Sequence, residues 1–537
     1  MGRSRRTALR TTAAGALSAS LIAGGVLALT PDAHAAGVRA GAGTATATRA
    51  GTDVRYVDIT AADGTVLKAN VVTPTGAADG SRHPLVVLPT SWGFPQIEYL
   101  AQAKELAASG YVVLSYNVRG FWQSGGGIDV AGPLDVADAR TVLDWALAHT
   151  PADPDRIGMA GVSYGAGISL LAAAHDPRVR AVAALSGWGD LIESIYSGRT
   201  QHLQAAALLD TVGRVAGRQS PETREVFSAF YSSDLSKEKE ILAWGQKRSP
   251  EAYADRLNRN GTAVLLANGW GDTIFPPNQS VALYEKLTGP KRLELRPGDH
   301  ATAELTGLFG MPNDVWNDSR RWLDHHLKDT ANGIEREQPV QLKSRSAGGY
   351  EGYPDWKSVS ADRRRIALTD TATIHTNVNS GADGGIVFLS SILDQIARLP
   401  PMASIPLLPR AWAAVWQSER YPTAQQVRGT AALHTTVTPT EESGTLVAYL
   451  YDVGPLGLGK LVTHAPYTFH GRTPGQPFGL DLELYSTAYD VPAGHRLALV
   501  VDTVDPLYIE HNPSGARLTF SSPENDPSYV SVPLREQ

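Results

Sequence analysis

From residue 52 to about residue 330 the chain alternates short apolar runs with helical patterns, and this alternation restricts its fold more than any other feature. The runs Leu85-Val86-Val87-Leu88, Tyr111-Val112-Val113-Leu114, Ile157-Gly158-Met159-Ala160, Val179–Leu185, Val264-Leu265-Leu266 and Arg292-Leu293-Glu294-Leu295 suit strands buried on both faces of a parallel sheet. Helical stretches lie between them. In residues 134–148, for example, Ala139, Val142, Leu143, Ala146 and Leu147 share one face. Residues 53–60 and 65–73 read as a hairpin turning at Asp63-Gly64. The pattern predicts a doubly wound α/β sheet over residues 52–335.

Two stretches depart from it. Residues 192–260 contain no strand signal and read as several helices inserted between two sheet strands, where a cap over an active site would sit. From residue 336 to 537 the texture becomes all-β: residues 430–438, 444–452, 460–469, 479–485, 496–502 and 516–521 alternate and are separated by Gly/Pro turns, predicting a sandwich. An apolar island at residues 393–416, with Trp412 and Trp416, reads as a packed surface loop or domain interface; a further hypothesis has it lean over the cap and narrow the acyl pocket. At ~150 residues per domain a chain of 537 residues holds two or three packed units, and this division gives two, the cap being counted inside the first.

The amino terminus reads as a targeting segment. Ser4-Arg5-Arg6-Thr7-Ala8-Leu9-Arg10 precedes a weakly apolar stretch, residues 11–29, that ends at Ala33-His34-Ala35. This predicts a twin-arginine export signal over residues 1–35, cut between Ala35 and Ala36, and a secreted or cell-envelope protein. The stretch is short and broken by glycine, whereas a membrane span wants ~20 strongly apolar residues, so no stable insertion is expected after cleavage. Residues 36–51, rich in Ala, Gly and Thr, read as a flexible leader.

The chain has no cysteine, which excludes disulfides, thiol nucleophiles and cysteine-ligated metals, so a side-chain nucleophile should be an oxygen. A formal charge of -6, with no basic run beyond the first ten residues longer than Arg363-Arg364-Arg365, gives no footprint for nucleic acid.

Gly161-Val162-Ser163-Tyr164-Gly165 follows an apolar run and opens the alanine-rich helical stretch 166–175. In that strand-turn-helix setting a serine sits on a tight, strained turn with its hydroxyl clear of the sheet, and the flanking glycines remove side chains that would collide. The Tyr164 N–H, at the helix start, faces the same space and can hold an oxyanion. The serine needs a base, and a histidine base needs a carboxylate to fix its tautomer. Asp272, after the run 264–267, and His300, after the run 292–295, follow Ser163 in the order of an α/β-hydrolase, both at carboxyl ends of predicted strands. Asp299 reads as a loop carboxylate and Asp190 as a helix cap. His325 and His326 are adjacent on an amphipathic helical stretch and cannot share one face, so no metal site is predicted, and no cofactor. The second oxyanion donor is expected from Pro89-Thr90-Ser91-Trp92-Gly93, from the Ser91/Trp92 backbone or the Trp92 indole.

With these residues in place the chain resembles the Xaa-Pro dipeptidyl-peptidase-like serine hydrolases, a group that includes cocaine-esterase-type acyl hydrolases. The resemblance rests on Asn117-Val118-Arg119-Gly120 with Ser124-Gly125-Gly126, the turn at Gly161 to Gly165, Gly271-Asp272, Gly298-Asp299-His300, Arg321-Trp322-Leu323-Asp324-His325-His326-Leu327-Lys328, and the terminal β-region. It implies an α/β-hydrolase fold with a helical cap, followed by a non-catalytic jelly-roll sandwich, with Ser163, Asp272 and His300 in the triad positions. Relatives commonly place a tyrosine in the loop after the 85–88 run to complete the oxyanion hole, and none stands there. No acidic pair stands out for binding a free amino terminus; Glu98 and Glu193 are the candidates. The expected function is serine hydrolysis of a small peptide or ester through an acyl-enzyme. The alternatives are an acyltransferase using the same triad and a non-catalytic secreted binding protein.

Overall fold

A computed structural model of the chain describes residues 51–77, 80–232, 235–346 and 348–537; the segment expected to be an export signal, 1–35, and all but the last residue of the expected leader, 36–51, lie outside the described residues. A ten-stranded sheet organises the first unit: β1 (Thr52–Thr60), β2 (Val66–Pro74), β3 (His83–Pro89), β4 (Val112–Tyr116), β5 (Ala152–Val162), β6 (Val179–Leu185), β7 (Ala263–Gly269), β8 (Lys291–Arg296), β9 (Val340–Lys343) and β10 (Tyr350–Tyr353). Their spatial order is β1-β2-β4-β3-β5-β6-β7-β8-β9-β10. From β4 to β9 neighbours run parallel, whereas β1, β2 and β10 pair antiparallel at the edges. The predicted hairpin forms with Gly64 at positive φ in its turn. Each predicted parallel strand forms within a few residues of its apolar run. β9 and β10 lie past residue 336, so the sheet also takes two short strands from the segment read as sandwich.

The strands are apolar on both faces because helices cover both. Tyr164–His175 packs on β5 and β6, and Asp314–Lys328 on β5, β6 and β7. The sequence Asn117-Val118-Arg119-Gly120 closes the carboxyl end of β4 with a buried ion pair. Arg119 donates to both Asp138 carboxylate oxygens at 2.7 Å and to Asp63 at 3.0 Å. Paired in this way, the charges are tolerated out of water. The loop they fix carries Phe121, whose ring packs 5.0 Å from Trp92 and 6.1 Å from Tyr164.

The predicted insertion is helical: Leu191–Ile195, Leu203–Val215, Pro221–Phe230, Glu238–Gln246 and Ala254–Asn260 form between β6 and β7. Asp190 caps the first of these, accepting from the N–H groups of Ile192 (2.7 Å) and Glu193 (3.2 Å), an arrangement worth about 1 kcal/mol.

The carboxyl-terminal region is a sandwich of an eight-stranded and a five-stranded sheet. The six predicted strands are present, and further short ones, including Arg363–Ala367, Gln425–Gly429 and Tyr529–Glu536, complete the sheets. The apolar island divides differently from the expectation. Trp416 belongs to the sandwich core against Phe520, its indole bonded to the Asp370 carbonyl, because Ala414–Gln417 is an edge strand whose alternate residues face inward.

Among the described residues no helix is long and apolar enough to cross a membrane, and no three His, Asp or Glu side chains gather as a metal site would require. His325 bonds the Thr330 carbonyl, while His326 packs on Trp322 and burial pushes its imidazole down to about 4.

Candidate active site

Ser163 stands between β5 and the helix Tyr164–His175 at φ 57°, ψ −115°, a conformation that costs an L-residue of order 1–3 kcal/mol and must be imposed by its surroundings. Its N–H donates to the Leu185 carbonyl at 2.8 Å. The two glycines explain why the turn can close: a Cβ on Gly161 would lie 2.6 Å from the Gly165 carbonyl carbon, and one on Gly165 would lie 2.1 Å from the Pro89 oxygen. The hydroxyl is thereby held out from the sheet toward His300.

The three side chains expected to act together do meet. Ser163 Oγ lies 2.8 Å from His300 Nε2, and His300 Nδ1 lies 3.0 Å and 3.2 Å from the two oxygens of Asp272. All three residues are buried. Asp272 is itself fixed, its Oδ1 accepting from the N–H groups of Ile274 (3.0 Å) and Phe275 (2.7 Å). Burial by itself would push the His300 imidazole down. The Asp272 charge and hydrogen bonds, with Asp299 and Glu304 beyond, outweigh it and hold the imidazole above its ordinary value.

Asp299, the rival carboxylate, does not face the imidazole. Its Oδ1 accepts from Thr273 N (2.8 Å), Thr273 Oγ1 (2.8 Å) and His300 N (2.7 Å), and its Oδ2 accepts from Phe388 N (2.8 Å). It braces the loop that carries Asp272 and the backbone of His300. Burial and the nearby Asp272 charge push its carboxyl up to about 6.

The expected oxyanion donors separate on inspection. The Tyr164 and Trp92 backbone N–H groups have no protein acceptor among the described residues, and both residues line a cavity with Ser163. The Ser91 N–H is spent: it donates to Glu98 Oε2 at 2.8 Å, while the single hydroxyl proton of Ser91 is shared between Glu98 Oε1, 2.5 Å from Oγ, and the Val162 carbonyl, 2.9 Å away. The Trp92 indole is spent as well, donating to the Leu209 carbonyl at 2.9 Å. Of the Ser91/Trp92 choices only the Trp92 backbone N–H remains available. Glu98 is therefore a loop anchor and not a ligand for a substrate amine, and burial pushes its carboxyl up to about 7.

Sequence reasoning missed other supports. Glu304 accepts from Ser186 Oγ (2.9 Å), which in turn accepts from Ala301 N (3.1 Å), and so braces the turn after His300. Asp135 accepts from Tyr164 Oη at 2.7 Å and from Ala131 N at 2.8 Å, fixing the ring beside Ser163. Neither carries a local motif; each is recognisable only once the chain is folded.

The cavity on Ser163 encloses about 670 Å³, counting the space open at its mouth. Trp188, Leu191, Ile195, Leu209, Phe227, Phe230, Trp244 and Phe275 form most of its wall, chiefly from the helical insertion, and among the described residues no carboxylate, lysine, arginine or histidine lines it. Neither Trp412 nor Trp416 reaches it; the sandwich instead approaches the triad through Phe388, whose ring centre lies 6.5 Å from that of His300. Glu193 is exposed on the first cap helix, outside the lining.

Known proteins share both halves of this architecture. Residues 63–302 match the X-Pro dipeptidyl-peptidase (S15) family, and residues 332–531 match the X-Pro dipeptidyl-peptidase C-terminal non-catalytic domain. A putative Xaa-Pro dipeptidyl-peptidase of Streptomyces avermitilis is 22% identical over 494 residues, covering 76% of this chain and 69% of that protein. Among solved structures, an alpha-amino acid ester hydrolase shares the fold with a TM-score of 0.67 at 16% identity, covering 92% of this chain and 98% of the other. An aminopeptidase from a marine sediment archaeon, Thaumarchaeota archaeon, does so with a TM-score of 0.69 at 15% identity, covering 94% and 99%. With its α/β-hydrolase unit and jelly-roll sandwich matching the two parts of that family in the same serial order, this chain belongs to the X-Pro dipeptidyl-peptidase (S15) family of serine hydrolases.

Proposed function

We propose that the protein is an exported serine acyl hydrolase that cleaves esters of uncharged, apolar acyl groups through an acyl-enzyme. The observation that carries the reading is the hydrogen-bonded string from Ser163 Oγ through His300 to Asp272, set beside two unpaired backbone N–H groups. Ser163 Oγ attacks the acyl carbon as its proton passes to His300 Nε2. The N–H groups of Tyr164 and Trp92 take the oxyanion. His300 then returns the proton to the leaving oxygen as the C–O bond breaks, and water repeats the sequence to release the acid. Asp272 holds the imidazole with its proton on Nδ1 and supports the imidazolium.

The substrate class follows from the cavity wall. Relatives named as Xaa-Pro dipeptidyl-peptidases release dipeptides, whose free amino terminus is a cation. An ammonium enclosed by Trp188, Phe227, Phe230 and Trp244 would meet no carboxylate among the described residues, and burying an unpaired charge costs several kcal/mol. An acyl chain or aromatic acyl group instead gains roughly 25 cal/mol per Å² buried. On a panel of p-nitrophenyl esters and Xaa-Pro-p-nitroanilides, kcat/KM for butyrate to octanoate esters is expected to exceed that for Gly-Pro-p-nitroanilide by at least about 100-fold. Equal or faster dipeptide release would overturn the preference.

Export is supported by the twin-arginine segment and its Ala33-His34-Ala35 end. Replacing Arg5 and Arg6 together by lysine should leave the activity in the cytoplasmic fraction; unimpaired export would count against this part of the reading.

A further inference from the structure

Phe388 lies in the sandwich, yet its backbone N–H donates to Asp299, the residue preceding His300, at 2.8 Å. The N–H of its neighbour Val387 donates to Gln204 Oε1 at 3.1 Å, at the start of the cap helix Leu203–Val215, and Gln204 Nε2 donates in turn to the Pro506 carbonyl of the sandwich at 3.0 Å. Two consecutive N–H groups of one sandwich segment are thus pinned, one to the histidine turn and one to the cap. Phe388 is held at φ 64°, a left-handed conformation that a bulky residue adopts only when its surroundings impose it. The outcome is a half-buried aromatic ring on one side of His300, with Phe275 on another, 5.0 Å away and edge-on. Phe388 does not line the cap cavity that would take the acyl group. It flanks the imidazole whose Nε2 hands the proton to the departing group.

We infer that Asp299 is a positioning residue which clamps Phe388 of the β-sandwich beside His300, so that the sandwich forms a wall of the leaving-group side of the site and sets which alcohol can depart. The inference rests on the proposed acyl-hydrolase reading. The clamp can be cut cleanly. Asp299 Oδ1 accepts three bonds from Thr273 and His300, so in Asp299→Asn the amide oxygen keeps that place and the NH2 group faces the Phe388 N–H, donor against donor. The loop beneath His300 keeps its bonds while the tie to the sandwich is lost.

The test compares two esters with the same acyl group, p-nitrophenyl butyrate and methyl butyrate, in the full chain. Asp299→Asn and Phe388→Ala are each expected to lower kcat/KM for the aryl ester by roughly 10-fold, mainly through KM, with a smaller change for the methyl ester. The double variant should be no worse than the more impaired single one, since both remove the same wall. Losses that are equal on the two esters, or that multiply in the double variant, would overturn the clamp. Should Asp299→Asn not fold, Phe388→Leu against Phe388→Ala carries the test: a graded loss confined to the aryl ester supports the wall, and no difference between the esters refutes it. Failure of the underlying reading looks different, because the wild type would then hydrolyse neither ester and would not react with a fluorophosphonate.

Discussion

Ser163→Ala is expected to remove essentially all ester hydrolysis, a loss of about 10⁶-fold in kcat, while leaving the protein folded. The fold should hold because the hydroxyl makes one hydrogen bond, to His300 Nε2, and the turn itself is built by Leu185, Gly161 and Gly165. Losing a single such bond costs about 1 kcal/mol. The hydrolysis should vanish because, among the described residues, Ser163 Oγ is the hydroxyl hydrogen-bonded to His300 Nε2 and no other takes that place. Retention of more than a few per cent of wild-type turnover by a well-folded Ser163→Ala protein would take Ser163 out of the mechanism.

Asp272→Asn should be the next most damaging change, lowering kcat by about 10⁴-fold with little effect on stability. The direction follows from the hydrogen bonds. Oδ1 is held by the N–H groups of Ile274 and Phe275, so the asparagine oxygen takes that position and its NH2 group points at His300 Nδ1. The imidazole then accepts at Nδ1, carries its proton on Nε2 and cannot receive one from Ser163. The same substitution should move the pH profile. In the wild type, kcat/KM rises with pH as His300 loses its proton, and the inflection lies above the ordinary histidine value because Asp272 favours the charged ring. Without that charge burial dominates, and the residual activity should titrate at lower pH. Asp299→Asn, by contrast, should cost about 10-fold in kcat/KM, mainly through KM, and lower the inflection less than Asp272→Asn does, because Asp299 raises the imidazole less than Asp272. A larger kcat loss from Asp299→Asn than from Asp272→Asn would exchange their roles.

Legibility from sequence follows burial and locality. The parallel strands were readable because both faces are covered, leaving runs such as Leu85-Val86-Val87-Leu88 and Ala181-Val182-Ala183-Ala184-Leu185 without polar interruption. Arg363–Ala367 was not readable as a strand: three arginines precede Ile366, and the segment pairs only as an addition to Tyr529–Glu536. The short strands β9 and β10 were hidden for the same reason, each having four residues beside a completed sheet. In the site, Ser163, Asp272 and His300 could be selected because each chemical role follows strand ends in a known order. The oxyanion donors could not be separated, since the choice between Ser91 and Trp92 turns on where the Glu98 carboxylate points. The approach of Phe388 was invisible for a related reason: its bond to Asp299 spans 89 residues and two folding units, and it is made by a backbone group that no side-chain pattern announces.

The most direct test of the account is the site of covalent modification. Incubated with a fluorophosphonate, or stopped by acid during turnover of p-nitrophenyl butyrate, the protein should gain one adduct, and peptide mass spectrometry should locate it on Ser163 within Gly161-Val162-Ser163-Tyr164-Gly165. An adduct on any other residue, or active enzyme that acquires none, would contradict it.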